Sequence, residues 1–209
     1  RILIRQIVSG TPPRIYASFT DEALYFTQIG FGVISKDNST FDNKYLLTIL
    51  NSLLMNYYHK YKFLDIEKEL FQKILIANCK CFPIKDISLE NQQAFIEKAD
   101  QMLSLNKELQ EVSQKFIRMM ERRFEIDQIP NRLQEWYTLS YDEFLKELSK
   151  KKIKLSLAQE AEWEDYFQTE KEKATAISEQ IAATDHDIDQ MVYKLYNLTD
   201  EEIEIVEKG

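Results

Sequence analysis

Glycine and proline are scarce, four of each in 209 residues, which argues against a barrel or sandwich of many short strands joined by turns. Two cysteines are too few to staple a secreted scaffold, so a reducing cytoplasm is the expected compartment. No apolar run approaches the roughly 20 residues of a membrane span, and no signal peptide opens the chain. The two histidines, His59 and His186, lie far apart in sequence and carry no metal spacing. Cys79-Lys80-Cys81 offers two ligands where a structural zinc takes four, and reads as core packing on a strand face with Leu75 and Ala77. No glycine-rich loop follows a strand in a way that could cradle a phosphate or nucleotide. Asp185-His186-Asp187 with Asp189 sits on helical sequence, where those side chains point to different sides, and is read as a solvated polar face. Glu170-Lys171-Glu172-Lys173 has a nuclease-like Glu-x-Lys spacing but no strand and no second acid. Nothing recommends a Ser/His/Asp triad. The chain is expected to be non-catalytic and to hold neither metal nor cofactor.

What remains is a globular profile: 44% hydrophobic, 12% aromatic and 30% charged residues. The sequence opens on Arg1 in mid-strand and reads as a piece of a longer protein. Its net charge of −8 hides an asymmetry. Residues 1–86 carry eleven Lys/Arg against eight Asp/Glu, a balance of +3, whereas residues 87–209 carry sixteen against twenty-seven, a balance of −11. A mildly basic front and an acidic rear suggest two domains, 1–86 and 87–209, with different tasks.

The front alternates short strands with one helix. Ile2 to Val8 is β-branched and apolar, stopped by Ser9-Gly10-Thr11-Pro12-Pro13. Arg14 to Phe19 alternates, with Ile15, Ala17 and Phe19 on one face and Arg14, Tyr16 and Ser18 on the other. Leu24 to Ile34 is a third expected strand, in which Gly30 and Gly32 suggest a bulge or a close backbone approach. A helix is expected from Asp42 to about Lys62, burying Leu46, Leu50, Leu53, Tyr57 and Tyr61. Lys73 to Phe82 is expected to be a last strand, halted by Pro83. The rear is nearly all helix. After Ser88 one helix carries Phe95, Ala99, Met102, Leu105, Leu109, Val112, Phe116 and Met119 at helical spacing. Ser140–Glu143, Ser156–Gln159 and Thr199–Glu202 fit capping boxes. The helix after Ser156 spaces Trp163, Phe167, Glu170, Ala174, Ile177, Ile181, Thr184, Ile188, Met191 and Leu195 by fours and threes, a coiled-coil-like stripe over ~48 Å. The fold class is therefore α+β: a small α/β unit with a mixed or antiparallel sheet, then a long-helix antiparallel bundle or coiled-coil-like spacer.

The candidate surface is a binding one. Tyr58, His59, Lys60 and Lys62 follow the expected buried stripe and would be exposed. Arg5 beside Gln6, Arg14 beside Tyr16, and Asn78 with Lys80 add charged and amide groups to strand faces, with Lys36 between. Cations of this kind meet phosphate oxygens, and Arg, Gln and Asn match the edges of guanine and adenine.

Leu3-Ile4-Arg5-Gln6, Tyr25-Phe26-Thr27, Tyr45-Leu46-Leu47-Thr48-Ile49-Leu50-Asn51-Ser52 and Tyr57-Tyr58 resemble the C-terminal specificity domain of fused type II restriction–modification enzymes. Ile84 to Gln93 followed by Ile96-Glu97-Lys98-Ala99-Asp100 is similar to the segment leading from such a domain into a spacer helix, as in type I specificity subunits. Leu145 to Leu157 with its Lys-rich centre, and Asp187 to Ile203, resemble the close of such chains. The resemblance implies sequence-specific recognition of double-stranded DNA on behalf of an N-terminal adenine-specific (N6) methyltransferase domain, sometimes joined to an endonuclease. S-adenosylmethionine and the Asn-Pro-Pro-Tyr motif of that domain would lie outside this sequence, whose only Pro-Pro is Pro12-Pro13. The DNA-binding residues would be drawn from Arg5, Gln6, Arg14, Tyr16, Lys36, Tyr58, His59, Lys60, Lys62, Asn78 and Lys80, while the acidic helices would stay off the DNA. The rival reading is a helical scaffold or oligomerisation module without DNA binding. Oligomeric state is left open.

Overall fold

In the computed structural model the chain is described at residues 1–8, 13–22, 24, 25, 27, 29–36, 38–65 and 72–209. Its elements are β1 (Ile2–Arg5), β2 (Ala17–Phe19), β3 (Gly30–Val33), α1 (Asn43–Asn51), α2 (Leu53–Phe63), α3 (Ile76–Cys79), α4 (Leu89–Phe124), α5 (Asn131–Gln134), α6 (Tyr141–Lys150), α7 (Leu157–Tyr196) and α8 (Asp200–Lys208). A short 3₁₀ turn spans Trp136–Thr138. The expected turn at Ser9–Pro12 and Phe26 of the third expected strand lie outside the described residues. Two compact units emerge: residues 1–103 with 184–209, and residues 104–183. This division falls inside α4 and α7.

The first unit is built on an antiparallel sheet of order β2-β1-β3. Ile4 pairs with Ala17 on one side and Phe31 on the other, and Leu3 with Ser18 and Gly32. Alternation then sends Ile2, Ile4, Ala17, Phe19, Phe31 and Val33 inward, onto Ile15, Tyr45, Ile49, Met55, Ile74, Phe95, Ile188 and Val192. The third strand is only four residues long, shorter than the expected Leu24–Ile34. At Gly30 a Cβ would stand 3.2 Å from the Ile4 carbonyl oxygen, so the expected close approach is real there.

The expected helix over 42–62 is two helices. Ser52 ends α1 and caps α2: its hydroxyl donates to the Ile49 carbonyl (2.8 Å) and accepts from the Met55 N–H (3.3 Å). A serine that can bond its own backbone competes with a continuing ladder, and the break resets the helical phase. Tyr57 is therefore half-buried and Tyr61 exposed, while His59 and Met55 are buried. The expected strand over Lys73–Phe82 is also corrected. Lys73 makes one antiparallel bridge to Ile7, after which the chain turns into α3, leaving Cys79 half-buried and Cys81 exposed. Asn78 and Lys80 share no strand face.

Buried polar groups join α4 and α7 to this unit. Gln92, fully buried, donates to the Thr40 and Ile87 carbonyls and accepts from the Asp42 N–H. The Asp189 carboxylate accepts the Leu53 N–H at 2.8 Å, satisfying a free donor at the start of α2. Lys98 pairs with Asp187 at 2.7 Å.

The second unit is an aromatic bundle. Phe116 stacks on Trp136 (centroids 3.7 Å apart) and lies 5.9 Å from Phe167, while Phe124 meets Trp163 at 4.6 Å. These contacts run α4 and α7 antiparallel within this unit, as the two stripes predict. Along α7 the expected stripe is the inward one, with Trp163, Phe167, Ala174, Ile177, Thr184 and Ile188 buried across the two units. Glu170 is buried too, and its charge is met by Lys173 (2.7 Å) and Lys115 (3.9 Å). On α4 the expectation slips by one position at its end: Met119 is exposed, whereas Ile117 and Met120 are buried. The capping boxes at Ser140 and Thr199 are complete; at Ser156 the Gln159 side chain returns to the Ser156 N–H at 3.0 Å. No described helix is long and apolar enough to cross a membrane.

Candidate nucleic-acid interface

The solvent face of the sheet gathers part of the expected set. Leu3, Arg5 and Ile7 alternate away from the core along β1, beside Ser18 and Gly32 of its neighbours. The Arg5 guanidinium donates from Nε to the Ile7 carbonyl (2.9 Å) and lies 4.5 Å from the centroid of the Tyr16 ring. That cation–π contact holds the planar fork of the arginine in a defined orientation. Tyr16 is 43% exposed. The Ile7–Lys73 bridge places Lys73 on the same side as Arg5, because Ile74 next to it is buried. Sequence reasoning missed Lys73. Its signal was the polar–apolar step Lys73-Ile74, but the register that aligns it with Arg5 is a tertiary fact. Gln6 is half-buried, its N–H bonded to the Ile29 carbonyl and its carbonyl to the Ile74 N–H.

A second group lies at α2 and turns toward the chain itself. Lys60 donates to the Gly209 carbonyl and sits 4.8 Å from the Tyr61 ring. Arg14 is exposed and lines the same narrow crevice as Lys60 and Gly209. Its charge also acts on Asp185 and Asp189 of α7. Burial pushes the Asp189 carboxyl up to about 6, against the opposing pull of the Leu53 N–H. The polar face expected at 185–189 is thus only partly solvated: Asp187 is exposed, Asp185 half-buried and Asp189 buried.

The remaining candidates scatter. His59 is 1% exposed against Phe63 and Phe82, and burial lowers its pKa to about 4. It is neutral at pH 7 and covered, contrary to the exposed position expected of it. Tyr58 is half-buried, edge-on to Phe63 and Phe82. Lys62 is exposed on the rim of an open groove of about 520 Å³ lined by Tyr57, Tyr58, Tyr61, Leu198 and Ile205. Lys36 and Lys80 are exposed, and Asn78 is half-buried on α3. Among the described residues no three His, Cys, Asp or Glu side chains converge as a metal site.

Comparison with known families divides the chain near the point where its charge changes. Residues 1–84 match the TaqI-like C-terminal specificity domain. The front of the chain is thus similar to a target-recognition domain of a restriction–modification enzyme. Residues 88–192, half of the chain, match a family described as a domain of unknown function, DUF8810, and the chain belongs to it. No curated protein and no solved structure matches the chain. The specificity domain places residues 1–84 in sequence-specific DNA recognition within restriction–modification. Its sheet has one face on the core and the other bearing Arg5, Tyr16 and Lys73.

Proposed function

We propose that the chain is the target-recognition part of an adenine-specific (N6) DNA methyltransferase of a restriction–modification system, itself non-catalytic and cytoplasmic, and that the solvent face of its sheet is the DNA contact. The observation that carries the second half is the alignment of Arg5, stacked on Tyr16, with Lys73 on a face whose neighbours Ser18, Gly30 and Gly32 are small. Small side chains let a duplex approach the backbone closely. A guanidinium fork fixed by an aromatic ring suits bidentate pairing with a guanine edge or a phosphate. Lys36, Lys62 and Lys80, exposed and outside the strands of the sheet, would act as peripheral phosphate contacts. Arg14 and Lys60 are already engaged by Asp185, Asp189 and Gly209, and Tyr58 and His59 serve the core. S-adenosylmethionine would belong to a methyltransferase domain partnered with this chain, and an endonuclease could share that assembly.

Selection of duplexes from a randomised pool by the purified chain tests the reading. One enriched sequence motif is expected, abolished in Arg5→Gln and retained in Lys62→Gln. Recovery of no motif by the wild-type chain overturns sequence recognition, and an unaltered motif in Arg5→Gln moves the contact off this face.

A further inference from the structure

The acidic half of the chain contains one basic end. In the second unit α6 runs out at Lys150 and the chain turns through Lys151, Lys152, Ile153 and Lys154 into α7. The turn is a Schellman motif: the Ile153 N–H returns to the Leu148 carbonyl (3.2 Å) and the Lys152 N–H to that of Ser149 (2.9 Å). Lys152 takes the left-handed conformation, φ 63°, at a position where glycine is the unstrained choice. Ile153 and Leu155 pack onto the aromatic core, so Lys152 and Lys154 alternate outward. Across a cavity of about 410 Å³, Lys151 and Ile153 face Phe124 to Gln128 at the end of α4, whose last turn carries Arg122 and Arg123. Arg122, Arg123, Lys151, Lys152 and Lys154 are all exposed and form no ion pair among the described residues; Glu125 and Asp127 are the exposed acids beside them. The contrast lies next to it. Glu147 is buried and holds Lys150 at 2.7 Å and Arg132 at 3.8 Å, and Glu143 takes Arg132 at 2.6 Å. The cations beside Glu143 and Glu147 are thus paired, and those at the end of the unit are not.

We propose that this end of the second unit is a DNA-backbone contact, with the cations from Arg122 to Lys154 meeting phosphates of duplex DNA. The proposal rests on the chain being a DNA-recognition protein and adds a contact from the half whose charge of −11 pointed away from DNA. Phosphate is the favoured occupant because the five exposed side chains offer donors and charge, while Phe124, Ile126 and Ile153 in the cavity between them are half-buried or buried.

The test uses the 209-residue chain and a fluorescent mixed-sequence duplex of about 30 base pairs, its affinity followed against potassium chloride. Removing one cation that neutralises a phosphate makes the logarithmic salt slope shallower by roughly 0.9. The double variant Lys151→Gln/Lys152→Gln is expected to lower the slope by about 1.8 and to bind roughly tenfold more weakly near 0.1 M salt. Lys107→Gln/Lys194→Gln, exposed lysines away from this end and matched in net charge, should keep the wild-type slope. Equal reductions in both pairs would reduce the effect to overall charge and overturn the proposal. A wild-type chain that binds while the 151/152 variant binds identically overturns it alone, leaving DNA recognition standing. A wild-type chain that binds no duplex overturns both. Unchanged circular dichroism melting of the variants excludes misfolding as the cause.

Discussion

At Ala17 a single side chain takes the place of a neighbouring strand. β2 lies at the edge of the sheet, and the Asn51 amide accepts from the Ala17 N–H and donates to its carbonyl, both at 3.0 Å. Asn56 accepts the Ile15 N–H at 2.6 Å and donates its own amide to the Asn51 and Ser52 carbonyls. An edge that would otherwise present open donors and acceptors is closed from α1 and α2. Asn51→Ala leaves both Ala17 groups without these partners and should cost about 1–3 kcal/mol in urea unfolding. Two buried ionisable residues of the same unit pull against each other. His59, with its pKa lowered from 6.5 to about 4, leaves the unfolded chain binding more protons in that interval. Its contribution is complete above pH 6.5 and is lost as pH falls toward 4. Asp189, raised by burial from 3.8 to about 6 with Asp185 adding to the rise and the Leu53 N–H, Arg14 and His186 opposing it, has the opposite sign: the folded chain holds the extra proton, and that stability is lost as pH rises through 6. Asp189→Asn keeps an acceptor for Leu53 and removes the opposing slope. Its urea midpoint should therefore fall more steeply than wild type between pH 6 and 4, and His59→Phe should fall less steeply.

Elements differ in how far local sequence determines them. The stripes of α4 and α7 and the capping boxes at Ser140 and Thr199 were legible because periodicity and caps act within one or two turns. The front unit was less so. A serine bond broke one expected helix at Ser52, and the phase change that followed moved His59 inward and Tyr61 outward. Met120 displaced Met119 from the core because α4 is covered there by Trp136 as well as by α7. The exposed face of the sheet could be read at Arg5 and Tyr16 from alternation, but their stacking and the arrival of Lys73 depend on register across distant segments. The same scale yields a test of the turn after α6. Lys152→Gly relaxes a left-handed residue and should raise the stability of the second unit by about 1 kcal/mol, measured as a shift of its urea midpoint. A decrease instead would mean that the lysine side chain holds the turn, contrary to its exposure.

For the whole molecule the question is whether the long apolar stripe of α7 calls for a second chain. Within each unit it finds partners from the same chain. Trp163 and Phe167 meet Phe116 and Phe124 in one unit, while Ile188 and Val192 join the core beneath the sheet in the other. No run of that stripe is left exposed among the described residues, and a net charge of −8 opposes self-association at low salt. Light scattering should therefore return the 24.8 kDa of a monomer. The rival reading, a scaffold that assembles through its helices, requires a dimer or larger species at the same concentration. If a dimer does appear, the α2–α8 groove is where the structure leaves apolar surface for it, with Tyr61 48% and Ile205 54% exposed. Tyr61→Ser/Ile205→Ser would then restore the monomer mass, whereas a dimer that survives this change would return the long helices to consideration as the interface.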